Sequence, residues 1–149
     1  MSANGSSLSW GYAQDRPYPF VQCAVQAMLR DRTPIRELSA RCDGLASEWA
    51  RGLAESVSRG EYLGCAIFCE DPGLVCCVAN KMPGLRAVAV VTTMHAARAT
   101  LTLGANLLAV EMPGRTFFEV RQILRNLCLP VCPDGVASTL RGLDGHAHR

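Results

Sequence analysis

The chain has 149 residues, 49% of them hydrophobic and 19% charged, with a formal net charge of +2. That balance excludes a disordered chain, and the small charge, carried by scattered basic residues, excludes a surface built for nucleic acid or an anionic membrane. No apolar run approaches the roughly 20 residues of a membrane helix, and no basic start followed by an apolar run marks an export signal. A cytoplasmic protein is expected, in which the eight cysteines stay reduced.

Residues 1–19, rich in Ser, Gly and Pro, read as an irregular arm. Pro19 suits a helix start, and Phe20, Val21, Ala24, Val25, Met28 and Leu29 recur at helical spacing until Thr33-Pro34 breaks the pattern. Residues 35–44 are ambiguous. Leu45, Trp49, Leu53 and Val57 fall every four residues and predict a second helix over about 45–58, closed by Gly60.

Beyond Gly60 the pattern becomes regular. "YLGCAIF" is a continuous apolar run, as in a strand covered on both faces. A short helix over about 73–81 follows, then a second buried strand, "LRAVAVV". Thr92 or Thr93 can cap a helix running to about Thr102, with Gly104 to close it. "NLLAVE" is a third strand. Thr116 and Glu119 have the spacing of a capping box opening a helix to about Leu127, and Cys132-Pro133-Asp134-Gly135 turns the chain.

Strands alternating with helices predict an α/β fold, a three-layer Rossmann-like sandwich around a mainly parallel sheet. One domain is expected over residues 20–135, followed by a helix or tail over 136–149. Ligands in such sheets sit beyond the carboxyl ends of the strands. Cys69–Gly73, Val91–Thr93 and Glu111–Arg115 are the loops expected there.

Four cysteines, Cys65, Cys69, Cys76 and Cys77, lie within thirteen residues. Their spacing does not match the paired Cys-x2-Cys turns of zinc sites, and no metal is expected. Cys23, Cys65, Cys76 and Cys77 sit among apolar neighbours and read as small core residues. Cys69 differs, because it ends a buried strand just before a helix. A helix N-terminus favours a thiolate, whereas the adjacent Glu70 and Asp71 oppose one.

The stretch Ala79-Asn80-Lys81-Met82-Pro83-Gly84-Leu85-Arg86-Ala87 resembles a motif of the ribose-5-phosphate isomerase B and galactose-6-phosphate isomerase subunit family. There it follows, at the same distance, a strand ending in Cys. "SRGEYLGCAIFC" and "GANLLAVE" resemble the family's flanking strands, so the similarity spans about residues 45–128. The resemblance implies an aldose–ketose isomerase of a phosphorylated sugar, working without metal or cofactor. Cys69 would be the base that moves a proton through an enediolate. Asp71, Gly73, Asn80, Lys81 and Arg115 would contact the substrate.

The resemblance also implies a homodimer or a pair with a paralogous subunit, with "TFFEVRQILRNLCLPVCP" as a possible contact. The bland reading of Phe117, Val120 and Leu124 is the core face of the last helix. Two departures stand out. The family's Gly-Thr-Gly-x-Gly loop is replaced by Glu70-Asp71-Pro72-Gly73-Leu74, and its opening strand, ending in Asp-His, finds no match within residues 1–20. These departures favour an alternative, a catalytically silent relative acting as a partner subunit or ligand-binding protein. A redox or metal role for the cysteine cluster is a third reading. Arg16 and Arg32 are candidates to replace missing site residues, and His95 reads as a surface histidine.

Overall fold

A computed structural model describes residues 8–38, 44–129, 139–140 and 142–143. The elements run β1 (Ser9–Gln14), α1 (Pro19–Arg30), β2 (Ile35–Glu37), α2 (Ala46–Ser58), β3 (Tyr62–Cys69), α3 (Pro72–Ala79), β4 (Ala87–Val90), α4 (Thr93–Leu103), β5 (Leu107–Glu111) and α5 (Phe117–Leu127). The strands form one sheet in the order β2-β1-β3-β5-β4, with every pairing parallel. This is the expected three-layer α/β sandwich.

The layers follow from strand alternation. Ala66 and Phe68 of β3 and Leu108 and Val110 of β5 point into a core shared with α1, α4 and α5. Their neighbours Cys65, Ile67, Leu107 and Ala109 point into a second core under α2 and α3. Strands buried on both faces are apolar throughout, which is why these two were legible as continuous runs.

Helix ends obey local chemistry. Thr92 accepts a hydrogen bond from His95 N and starts α4, and Gly104, at φ +61°, ends it in the left-handed conformation. Thr116 and Glu119 form the expected capping box. The apolar face of α5 is spent inside the protein: Val120 and Leu124 are fully buried and Phe117 packs against the same core. Phe118, by contrast, is 75% exposed.

Two segments differ from expectation. The supposed arm contains β1, which lies inside the sheet between β2 and β3. Trp10 and Tyr12 face one core and Ala13 the other. Gly11 is required there, because a Cβ would stand 2.8 Å from Leu38 Cδ1 and 2.9 Å from Tyr62 Cδ1. The ambiguous stretch after Thr33-Pro34 opens with β2, a three-residue edge strand. The turn at Cys132-Pro133-Asp134-Gly135 lies outside the described residues.

The cysteines divide otherwise than expected. Cys65 and Cys69 are buried and Cys76 is half-buried, but Cys23 and Cys77 are exposed. Both of these are on helices, where one step of about 100° carries a residue from the core face to solvent. Among the described residues, no group of three or more His, Cys, Asp or Glu is placed to hold a metal ion. No described helix is long and apolar enough to cross a membrane.

Candidate active site

The carboxyl ends of β1 and β3 lie side by side, and the parallel register continues to Gln14 opposite Phe68. Cys69 follows Phe68 and ends β3. Its side chain is 2% exposed, and its thiol lies 3.9 Å from its own strand's Ile67 carbonyl. Burial pushes this thiol up to about 12, and the Asp15 carboxylate and the Cys76 thiol add to the effect; a backbone hydrogen bond from Asp71 works the other way. Burial therefore holds the Cys69 thiol in its protonated form at neutral pH.

Asp15 is the residue the sequence reading missed. It stands just past β1, and its carboxylate ties the start of α1 to the turn after β3. Oδ2 accepts from the Glu70 amide at 2.9 Å, and Oδ1 accepts from the Tyr18 hydroxyl at 2.6 Å. Arg16 pairs with Glu70 at 2.5 Å and lies over the Tyr18 ring. Burial, followed by Asp15, raises the Tyr18 hydroxyl well above its ordinary range. Residues 1–20, expected to be an irregular arm, therefore contain a strand, and Asp15 and Arg16 follow it directly. Strong apolar alternation would have revealed it, but the Ser, Gly and Gln of "SWGYAQ" dilute that signal.

The turn after Cys69 does not leave an anion site open. Asp71 is the N-cap of α3, with Oδ1 accepting from Leu74 N at 3.1 Å. Pro72 at the first helical position has no amide hydrogen. Gly73 has room for a Cβ, which would meet Asp71 Oδ1 at an ordinary 3.6 Å. Where a glycine loop would offer amides to an oxyanion, this chain presents a carboxylate. Beside Asp15, the residues Gly44, Ala46 and Trp49 line a cavity of about 180 Å³, smaller than the roughly 300–1,000 Å³ of ordinary ligand pockets.

The other expected contacts lie elsewhere. Asn80 and Lys81 are at the far end of α3, next to the start of β4, and so at the opposite edge of the sheet from Cys69. The Asn80 amide bonds both backbone groups of Ala87. Ser58 Oγ donates to Pro83 O at 2.8 Å, and Asn106 binds Gly84 O and Arg86 N. The Ala-Asn-Lys-x-Pro-Gly motif is thus a turn that joins α3 to β4. Lys81 faces a groove of about 460 Å³ between α2 and α3, with Arg51, Cys77 and Met82.

Arg115 is at the carboxyl edge, but half-buried and engaged. Its guanidinium donates to Val91 O and lies 3.5 Å from Glu119 of the capping box. Arg32 is beyond the end of α1, at the edge away from Cys69. His95 is exposed in the first turn of α4.

No family model matches the sequence, and no curated protein matches it. Solved structures do match the fold. Ribose-5-phosphate isomerase B of Thermotoga maritima superposes with a TM-score of 0.77 at 12% identity, over 94% of this chain and 99% of that one. The enzyme from Mycoplasma genitalium, solved with bound ribulose-5-phosphate, gives 0.75 at 19% identity over 95% of both chains. That of Giardia lamblia gives 0.69 at 22% identity, over 86% of this chain and 98% of its own. At such identities the likeness establishes a shared fold, that of ribose-5-phosphate isomerase B.

Proposed function

We propose that this protein is an aldose–ketose isomerase of a phosphorylated sugar, working at the carboxyl edge between β1 and β3. The observation that carries the reading is the adjacency of Asp15 and Cys69 at the ends of neighbouring strands, on a scaffold matched over 94% and 95% of its length by two ribose-5-phosphate isomerases. In this reading the Cys69 thiolate takes the C2 proton of the aldose, giving an enediolate. The proton returns at C1 while the hydroxyl and carbonyl exchange places, so no electrons enter or leave. The site is completed by a second subunit, either a copy of this chain or a paralogue.

The geometry sets a demand on this chemistry. The thiol is protonated at rest, and Asp15, Glu70 and Asp71 face a substrate that is itself anionic, with Arg16 the nearby cation. Loss of one oxyanion donor costs about 10²–10³ in rate, so turnover is slow unless the turn rearranges around the ligand.

A second reading is favoured by one specific observation, the Asp71 carboxylate seated on its own helix N-terminus. It describes a catalytically silent relative that serves as a partner subunit or binds a ligand without converting it. Assays of pentose and hexose phosphates, wild type against Cys69→Ala, separate the two. Turnover abolished in Cys69→Ala supports the isomerase. Turnover that survives the substitution removes Cys69 as base. Absence of turnover across the panel leaves the silent relative.

A further inference from the structure

The groove of about 460 Å³ between α2 and α3 is within the size range of small-molecule sites. Glu48 and Arg51 of α2 line it on one side and Cys77 and Val78 of α3 on the other, with Lys81 and Met82 from the turn that follows. Asp15, Cys69 and Glu70 take no part in it, so it is separate from the carboxyl edge between β1 and β3.

Its lining joins apolar and charged side chains. Val78 and Met82 are half-buried, whereas Glu48, Arg51 and Lys81 are exposed. Arg51 Nε donates to Glu55 Oε1 at 2.9 Å, which leaves the terminal nitrogens of the guanidinium for another acceptor. Among the described residues, the Lys81 ammonium has no hydrogen bond or ion pair. Two cations against one carboxylate complement a ligand that has two carboxylates and one ammonium. Cys77 is exposed in the same groove and adds a nucleophile to that charge pattern.

We infer that this groove takes a small anionic peptide disulfide and transfers half of it to Cys77. Arg51 and Lys81 hold the carboxylates, Glu48 faces the ammonium, and Val78 and Met82 pack against the carbon skeleton. The Cys77 sulfur gives up its proton and attacks one sulfur of the disulfide. A new S–S bond forms as the old one breaks, and the leaving thiolate takes up a proton. Cys77 is oxidised, and the departing thiol keeps the two electrons. The inference holds whether or not the chain converts a sugar phosphate.

Cys23 supplies the control. It is also exposed on a helix, but α1 has no charged residue from Pro19 to Leu29. The full chain is treated with glutathione disulfide, and in parallel with the uncharged bis(2-hydroxyethyl) disulfide. Peptide mass spectrometry without reduction, with fragment ions to tell Cys77 from Cys76, gives the rate at each thiol. The ratio of Cys77 to Cys23 modification is expected to be about three- to tenfold higher with glutathione disulfide than with the uncharged reagent, as two exposed charge contacts allow. In Arg51→Gln/Lys81→Gln that excess is expected to vanish, and Lys81→Arg is expected to keep it. Equal ratios for the two reagents overturn the inference, because Cys77 is then only an accessible thiol. An excess that survives in the folded double variant overturns it too, since the cations then do not hold the ligand. If the double variant does not fold, the two single variants decide.

Discussion

Asn80 and Ala87 are joined by two hydrogen bonds: Asn80 Nδ2 donates to Ala87 O at 2.9 Å, and Ala87 N donates to Asn80 Oδ1 at 2.8 Å. One side chain thus satisfies both backbone groups of the first residue of β4. Asn80→Ala strands a donor and an acceptor in a part-buried position, and is expected to lower stability by about 2–3 kcal/mol. Asn80→Asp keeps the acceptor and loses the donor, and is expected to cost about half as much. Urea midpoints at unchanged slope measure both.

Two glycines respond oppositely to alanine. At Gly64 a Cβ would stand 2.9 Å from the Asn106 carbonyl and 3.0 Å from the Trp10 ring. A carbonyl fixed in the loop entering β5 cannot move away, so Gly64→Ala is expected to cost about 1–3 kcal/mol. At Gly52, within α2, nothing lies within 4 Å of the added atom. Gly52→Ala is expected to stabilise by about 0.5–1 kcal/mol through helix propensity and a smaller unfolded-state entropy. Thermal melts of the pair, read against wild type, should move in opposite directions.

The capping box at the start of α5 is a further local test. Thr116 Oγ1 accepts from Glu119 N at 3.2 Å, and Glu119 Oε1 accepts from Thr116 N at 3.3 Å. Thr116→Ala is expected to cost about 1 kcal/mol. Glu119 also anchors Arg115, so Glu119→Ala should cost as much and free the guanidinium from its ion pair. Denaturant titration of the two single variants checks this.

Elements whose pattern is set locally were legible. The Thr116–Glu119 spacing, Gly104 and the runs through Cys65–Cys69 and Leu107–Val110 each signal one structure by themselves. β1 was not, because Ser9, Gly11 and Gln14 dilute its apolar pattern, and the Leu38 and Tyr62 side chains that make glycine fit at position 11 come from elsewhere in the chain. The site followed the same division. Cys69 was placed by its position at a strand end, but Asp15 came into view only when β1 was found beside β3. The Asn80–Ala87 turn shows the converse limit: a motif can be specific because it shapes a fold, and a match to it then says nothing of chemistry.

Buried thiols make stability depend on alkaline pH. Burial pushes Cys65 and Cys69 each up to about 12, against about 8.5 for a thiol in an unfolded chain. Below pH 8 both states hold these protons, and the two groups contribute no slope. Between about pH 8.5 and 12 the unfolded chain releases protons that the folded protein keeps, so the unfolded state gains and stability falls as pH rises. Each thiol contributes up to about 1.4 kcal/mol per pH unit in that window. Tyr12 and Tyr18, raised chiefly by burial, act in the same direction from about pH 10 upward. Urea midpoints at pH 7.5, 9 and 10 should therefore decline, and the decline should flatten in Cys65→Ala by about one thiol's share. A midpoint that holds steady from pH 8 to 10 would mean that water reaches these sulfurs, and the sealed end of β3 would be wrong.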